Sequence, residues 1–448
     1  MLTVDAALDR LTHSLAAAKR LGADSADAIY VGDGSTGIGV RMGVLEDIGR
    51  SEGEEVGLRV FVGQRSASVS SSDLSVDALQ EAVERAVAMA REAPEDAYAG
   101  LAPAELLMHE TPRDLDIDDG GESSAEKLEV MALAAEDAAR AVAGVTNSEG
   151  GSASSGRAVM ALATSTGFAR GYHGTSYGVS ASVIAGEGTG MQRDYAYHSS
   201  RFATDLETPE SIGLRAGTRA VRRLGPIKLD TQSLPVVFDP RVGGGMLSAL
   251  IGAITGSSIA RKTSFLLDAM GTQVFAPGIR IIDQPHRLRG LRSKPFDGEG
   301  LPTAERAIID DGVLTGWLME SASARQLGLT PTGHAARGVS GPPGAGTSNL
   351  HMAAGSTSRA DMIGSIKYGL YVTEMIGMGV NGLTGDYSRG ASGFLIENGE
   401  LTVPVAEVTI AGNLKDMFRA IVPADDLEFR YATNVPTLRI DGMTLAGA

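Results

Sequence analysis

The sequence predicts an α+β fold: N-terminal helix-and-strand units followed by a strand-rich C-terminal domain with antiparallel hairpins. Three observations carry this. Glycine is abundant, at 58 of 448 residues, while aromatic residues make up only 5%, a balance that favours turns and close backbone approaches over a large helical bundle. Short runs of alternating apolar and polar residues recur along the whole chain. Longer stretches with apolar residues at helical spacing flank them in the first half. At this length two or three domains are expected.

In chain order, Thr3 reads as the N-cap of a first helix whose apolar stripe is Val4, Leu8, Leu11, Leu15 and Ala18. Strand-like runs follow: "DAIYV", "TGIGVRM", "VGLRVFVG" and "SASVSS". A second amphipathic helix turns Leu79, Val83 and Val87 inward and closes a first unit, residues 1–93. Residues 94–122, with Pro94, Pro103, Pro112 and the acidic run "DLDIDDGGE", read as a linker. The second unit, 123–228, repeats the plan with a helix from Ser124 and strands in "SGRAVMALAT", "GFARGYH" and "YGVSASVIAG". It closes with a helix begun by Thr208-Pro209-Glu210, a capping residue followed by proline at N1. Residues 229–448 read mostly as strands. Asp311-Gly312 and Asn398-Gly399 sit between apolar runs and predict two-residue hairpin turns with positive φ. The long loop "PTGHAARGVSGPPGAGTSN" lacks periodicity, and loops of that length are usually functional or mobile.

Composition excludes several functions. A formal charge of −16 argues against direct nucleic-acid binding, which needs a basic surface. With no cysteine there is neither a disulfide nor a thiolate metal site. No stretch is apolar enough for a signal peptide or a membrane span, so a cytoplasmic location is expected.

Literal motif matches fail on context. "GDGSTG" (Gly32 to Gly37) and "GMGVNG" (Gly377 to Gly382) fit G-x-G-x-x-G, yet neither opens a helix. In "GTSYG", Ser176 precedes a strand-like run, not the helix a nucleophile elbow requires, and reads as a turn residue. His109-Glu110 begins a zincin motif, but Arg113 stands where the second histidine belongs. No two of the seven histidines lie within five residues of each other. Only a metal site assembled from distant segments remains, with His334 and His351 as its best members. The stretch "VVFDPRVGGGMLSALIGAIT", 236–255, places a triple glycine between a strand and a helix, as phosphate sites do. It has no lysine before Lys262 and is not a P-loop.

Three long strings, "SKPFDGEGLPTAERAIIDDGVL", "GVNGLTGDYSRGASGFLIENGEL" and "VPVAEVTIAGNLKDMF", resemble the TldD/PmbA family, also called modulators of DNA gyrase. Within it, "TGDYSRGASGF" and "AGNLKDM" resemble the PmbA (TldE) branch. The resemblance implies a cytoplasmic peptidase built from paired homologous subunits and acting on unstructured peptides. The TldD-type subunit carries H-E-x-x-x-H on a helix, with a later cysteine completing a zinc site. In this sequence the first histidine falls on Ser248, the glutamate on Ala249 and the last histidine on Ala253. Alanine has no donor atom and a neutral serine is a poor zinc ligand.

The resemblance therefore implies a non-catalytic partner, with no cofactor in this chain and zinc in a TldD-type subunit. Two residues five apart lie roughly 140° apart around an ideal helix, so that helix must distort or use different rotamers to bind metal. Asp386, Tyr387, Ser388, Arg389 and His334 are the candidate peptide contacts, although "GDYSRG" serves equally to shape a turn. Expected partners are a TldD-type subunit, an unstructured peptide and, for the chain alone, a second copy of itself. Alternatives are a self-sufficient metallopeptidase using His334, His351 and Asp386, and a regulatory protein acting on gyrase.

Overall fold

The computed structural model describes residues 1–377 and 379–447, so Met378 of the "GMGVNG" string and Ala448 lie outside the described residues. Helix α1 (Val4–Arg20) starts where expected: the Thr3 hydroxyl accepts from the Ala6 amide at 3.2 Å, and Leu11, Leu15 and Ala18 are buried. Strands β1 (Ser25–Arg41), β2 (Val44–Val62) and β3 (Arg65–Ser71) follow, then helix α2 (Val76–Glu92), capped by Ser75. β1 runs straight through Gly32–Gly37, joining two runs that the sequence separates. Glycine is needed at Gly32, because the Tyr30 ring lies where a side chain would go. The β1–β2 turn is Met42-Gly43, at φ 53° and 76°, with a methionine where Asn or Asp is usual.

Residues 94–124 have little regular structure, yet Ala102 and Leu107 are buried against Phe296 and Leu301. Helix α3 (Ala125–Arg140), strands β4 (Val145–Thr164), β5 (Ala169–Ala185) and β6 (Gln192–Ser200), and helix α4 (Pro209–Arg222) complete the first half. All six strands belong to one antiparallel sheet, ordered β3-β2-β1-β4-β5-β6. Ser176 lies inside β5, paired with Gly156, and not in a turn: the strand continues because β4 offers an unbroken partner.

Helices α3 and α4 cross where Gly213 presses on the Ala135 carbonyl, and a Cβ there would also stand 2.9 Å from Ala138. Gly213→Val is expected to cost about 2–3 kcal/mol by overpacking. Chemical denaturation checks it; an unchanged midpoint would mean that the glycine does not set the helix spacing.

The second half begins with β7 (Gln232–Phe238), α5 (Pro240–Ile254) and α6 (Gly256–Ala260). Then come β8 (Ile281–Asp283), β9 (Arg306–Asp310), β10 (Val313–Leu314) and α7 (Ser321–Leu327). β11 (Ala335–Ala336) and β12 (Gly344–Ala345) form a small hairpin in the long loop, followed by β13 (Leu350–Met352) and α8 (Arg359–Gly364). The chain ends with β14 (Tyr368–Ile376), β15 (Asp386–Glu397), β16 (Glu400–Asn413), α9 (Leu414–Ala420), β17 (Val422–Pro423), β18 (Thr433–Asn434) and β19 (Leu438–Ala446).

One sheet is ordered β10-β9-β8-β13-β18 and the other β16-β15-β14-β7-β19-β17. The second closes on itself, because β16 also pairs with β19 from Thr409↔Ala446 to Ala411↔Thr444. Both expected hairpins form, with Asp311-Gly312 at φ 48° and 77° and Asn398-Gly399 at 50° and 85°. Helices α5 to α9 interrupt the strands more often than the sequence suggests. Phe238, Leu250, Phe275 and Phe418 lie in the shared core. No helix among the described residues is long and apolar enough to cross a membrane.

Candidate functional site

Helix α5 positions everything of functional interest. Asp239 caps it, accepting from the Arg241 amide through Oδ1 at 3.0 Å, while its carbonyl takes the amides of Val242 and Gly243. The helix N-terminus is therefore occupied by its own chain and does not cradle phosphate. Of the three glycines, Gly243 serves packing: a Cβ on it would stand 2.8 Å from Val435 and 3.1 Å from Leu438. The helix thus sits against β19 at a distance only glycine permits.

The three family-motif positions diverge around this helix. Ser248 is exposed and its hydroxyl donates back to the Gly244 carbonyl at 3.3 Å. Ala249 is half-buried against the core, and Ala253 is buried. Two methyl groups and a hydroxyl facing apart do not fit zinc. Among the described residues no group of three or more His, Cys, Asp or Glu is placed to hold a metal. What α5 presents outward is Gly245, Ser248 and Gly252, a shallow face with no bulky side chain.

Strand β15 reaches that face through Arg389. Asp386 is exposed and accepts from the Thr384 hydroxyl at 2.6 Å and the Asn413 amide at 3.0 Å, which hold its carboxyl below its ordinary range. Tyr387 points the other way, only 4% exposed, with its hydroxyl on the Met375 sulfur at 3.1 Å; burial pushes it up to about 12. Ser388 is exposed, and its amide donates to the Gly379 carbonyl at 2.7 Å. Arg389 lies across α5 at Gly245, and its buried Nε has no hydrogen-bond partner among the described residues. Strand alternation thus turns Asp386 and Ser388 outward, while Arg389 shares the inward face of Tyr387 and is half-buried.

His334 is also removed. It is 4% exposed, with Nδ1 2.8 Å from the Thr332 carbonyl and Nε2 3.5 Å from Asp283. His351 is buried edge-on to Phe429, and burial holds it below the ordinary histidine range. None of Asp386's hydrogen bonds reaches either histidine, so the distributed metal site is not assembled. The loop 331–349 is pinned, not free: besides His334, Arg337 pairs with Asp27 at 2.5 Å and the Asn349 amide donates to Ser293 at 2.8 Å.

Two constellations escaped the sequence reading because their members are far apart in the chain. One is a buried network of Asp27, Arg59, Glu299 and Arg337, joining β1 and β2 to the long loop. The other is a belt of arginines around the start of α5. Asp194 on β6 is 2% exposed and holds Arg241 with both oxygens, at 2.7 and 3.1 Å, and Arg223 at 3.5 Å. Arg223 also pairs with Glu374. Glu207 takes Arg215 and Arg430; their charges outweigh burial and bring its carboxyl down to about 2.

At the three positions that the family resemblance singles out, helix α5 thus carries one hydroxyl and two methyl groups, within an α+β scaffold of a peptidase family. The comparisons place it. Family models described as PmbA/TldA metallopeptidase domain 1, central domain and C-terminal domain match residues 26–90, 118–224 and 231–447. The chain belongs to the PmbA/TldD metallopeptidase family. It is 41% identical to metalloprotease PmbA of Escherichia coli, over 99% of this chain and 98% of that one. It is 38% identical to a PmbA homologue of Haemophilus influenzae, over 92% and 89%. A crystal structure from Bacteroides thetaiotaomicron, described as a modulator of DNA gyrase, superposes with TM-score 0.92 at 26% identity over 100% of both chains. TldE from Thermococcus kodakarensis shares the fold, with TM-score 0.87 at 20% identity over 98% and 100%.

Proposed function

We infer that this chain is the PmbA/TldE-type, non-catalytic subunit of a cytoplasmic TldD/TldE zinc metallopeptidase that processes or degrades unstructured peptides. The observation that supports it is α5. The helix is kept, with Ser248 facing solvent and Ala249 and Ala253 packed inward, and none of the three can hold zinc or serve as a base. The zinc and the proton transfers then belong to the TldD-type partner. This chain supplies a wall, in which Arg389 lies against α5 at Gly245, Asp386 and Ser388 are exposed on β15, and the three hold an extended peptide.

The test incubates an unstructured peptide with this chain alone, with a TldD-type subunit alone, and with both, in excess zinc. Cleavage is expected only with the TldD-type subunit present, enhanced by this chain. Chelator-sensitive cleavage by this chain alone would overturn the assignment. Salt-sensitive binding to gyrase with no effect on cleavage would favour the regulatory reading instead.

A further inference from the structure

Between the end of α4, the first turn of α5 and the segment before β18 lies a cavity of about 550 Å3. Its wall carries six arginines: Arg215, Arg219, Arg222, Arg241, Arg359 and Arg430. In a chain of formal charge −16 this is a local inversion. Glu207 pairs with Arg215 and Arg430, and Asp194 with Arg241. The other three are in no ion pair among the described residues. Neutral groups fix them instead. Arg219 donates to the Tyr195 carbonyl at 3.2 Å and Arg359 to the Tyr371 hydroxyl at 2.9 Å, while Arg222 lies 4.8 Å from the Phe394 ring centre. Burial, then the like charge of Arg241, holds Arg219 below the ordinary guanidinium range.

Three carboxylates, Asp239, Asp426 and Glu428, share the wall with the six arginines and answer the charge only in part. Asp239 is engaged by the Tyr371 hydroxyl at 2.8 Å and the Arg241 amide, and Asp426 by the amide and hydroxyl of Thr437. Glu428 alone is exposed at the rim without a hydrogen bond among the described residues.

We propose that this cavity is a binding site for a carboxylate of an extended peptide, held by Arg219, Arg222 and Arg359. It rests on the reading that this chain holds peptide. A planar carboxylate matches the fork of a guanidinium, and three arginines line this one cavity. Glu428 on the same wall weakens the field for a multiply charged anion. The rings of Tyr195, Tyr197 and Tyr431, the first pair stacked and the second tilted, with centroids 6.2 and 5.6 Å apart, lead from β6 to the cavity and give a peptide an apolar rim. Contact here is through side chains, because Arg219 and Arg430 already take the edge carbonyls of Tyr195 and Tyr197.

The test measures binding of dye-labelled Gly-Ser-Ala peptides to the full chain by fluorescence anisotropy at fixed ionic strength. The peptides end in a free carboxylate or an amide, with or without an internal glutamate, which separates a C-terminal from a side-chain carboxylate. At least one carboxylate form is expected to bind about tenfold tighter than the neutral peptide, the scale of one charge-assisted hydrogen bond. Arg359→Gln and the exposed Arg222→Gln should each erase most of that preference while the circular dichroism spectrum stays unchanged. Equal binding of neutral and charged peptides overturns the site but leaves peptide holding intact, and no peptide binding at all overturns both. Displacement by inorganic phosphate, with no carboxylate preference, assigns the cavity to phosphate and also overturns the proposal.

Discussion

Asp27→Asn is expected to destabilise the protein by about 3–5 kcal/mol, the cost of leaving buried guanidinium groups without their counter-charge. Asp27 is 2% exposed; it accepts from Arg59 Nε at 3.1 Å and faces Arg337 Nη1 at 2.5 Å. Glu299, 4.0 Å from Arg59, brings the four groups to neutrality, so removing one carboxylate charge leaves an excess positive charge in the interior. The damage should centre on the long loop, whose attachment to β1 runs through Arg337. Hydrogen exchange should therefore rise first in residues 334–346. A companion Arg337→Met in the Asp27→Asn background should restore part of the loss, because the charge excess disappears. A single-variant cost below about 1 kcal/mol would show that the network is solvated and wrongly described as buried.

The same network fixes a pH dependence. Burial pushes the Asp27 carboxyl up, but Arg59 and Arg337 together outweigh it and leave the group below its ordinary value. A carboxylate lowered in the folded state stabilises above its unfolded pKa, about 3.9, and loses that contribution as pH falls through the folded value. Glu299 works oppositely: burial raises it, so its share of stability declines as pH rises past its unfolded value. Subtracting the Asp27→Asn profile from that of the natural protein isolates the first effect, which should appear only on the acid side.

Asp194→Asn is the second large expected effect, again about 3–5 kcal/mol. Its carboxylate ties β6 to Arg241 in the first turn of α5 and to Arg223, and Arg223 in turn reaches Glu374 on β14. Neutralising it unlatches the two halves of the protein at the helix that carries the candidate site. The near-ultraviolet signal of Tyr195, whose ring lies 6.0 Å from the Arg241 guanidinium, should change with it. Unaltered stability and spectrum would mean that the latch is not needed to hold α5.

Local signals were legible and distant ones were not. Thr3 and Thr208 each cap the helix their sequence context assigns, since a cap depends on a few adjacent residues. The Asp311 and Asn398 turns succeed for the same reason. β1 was split because Gly32, Gly34 and Gly37 break the alternation, whereas in the fold β2 and β4 pair with both of its edges. At the candidate site, the family resemblance, aligned on the stretch 236–255, located α5 and the divergent motif. The burial of Tyr387 and His334 follows from strand phase and from Asp283, neither readable nearby. The arginine cavity draws on α4, α5, α8 and the stretch before β18, so no window of sequence contains it.

The single N-terminal sheet also imposes an order of events on the growing chain. The β1–β2 hairpin is complete once residue 62 has left the ribosome, yet the other edge of β1 waits for β4, at 145–164. In that interval a long row of backbone donors and acceptors from Asp27 to Val40 has no partner strand. Pairing so far apart in sequence is slow to close, and an open strand edge invites the wrong neighbour. The nascent chain is thus most exposed to misassembly midway through synthesis, before its central unit exists to cover the first.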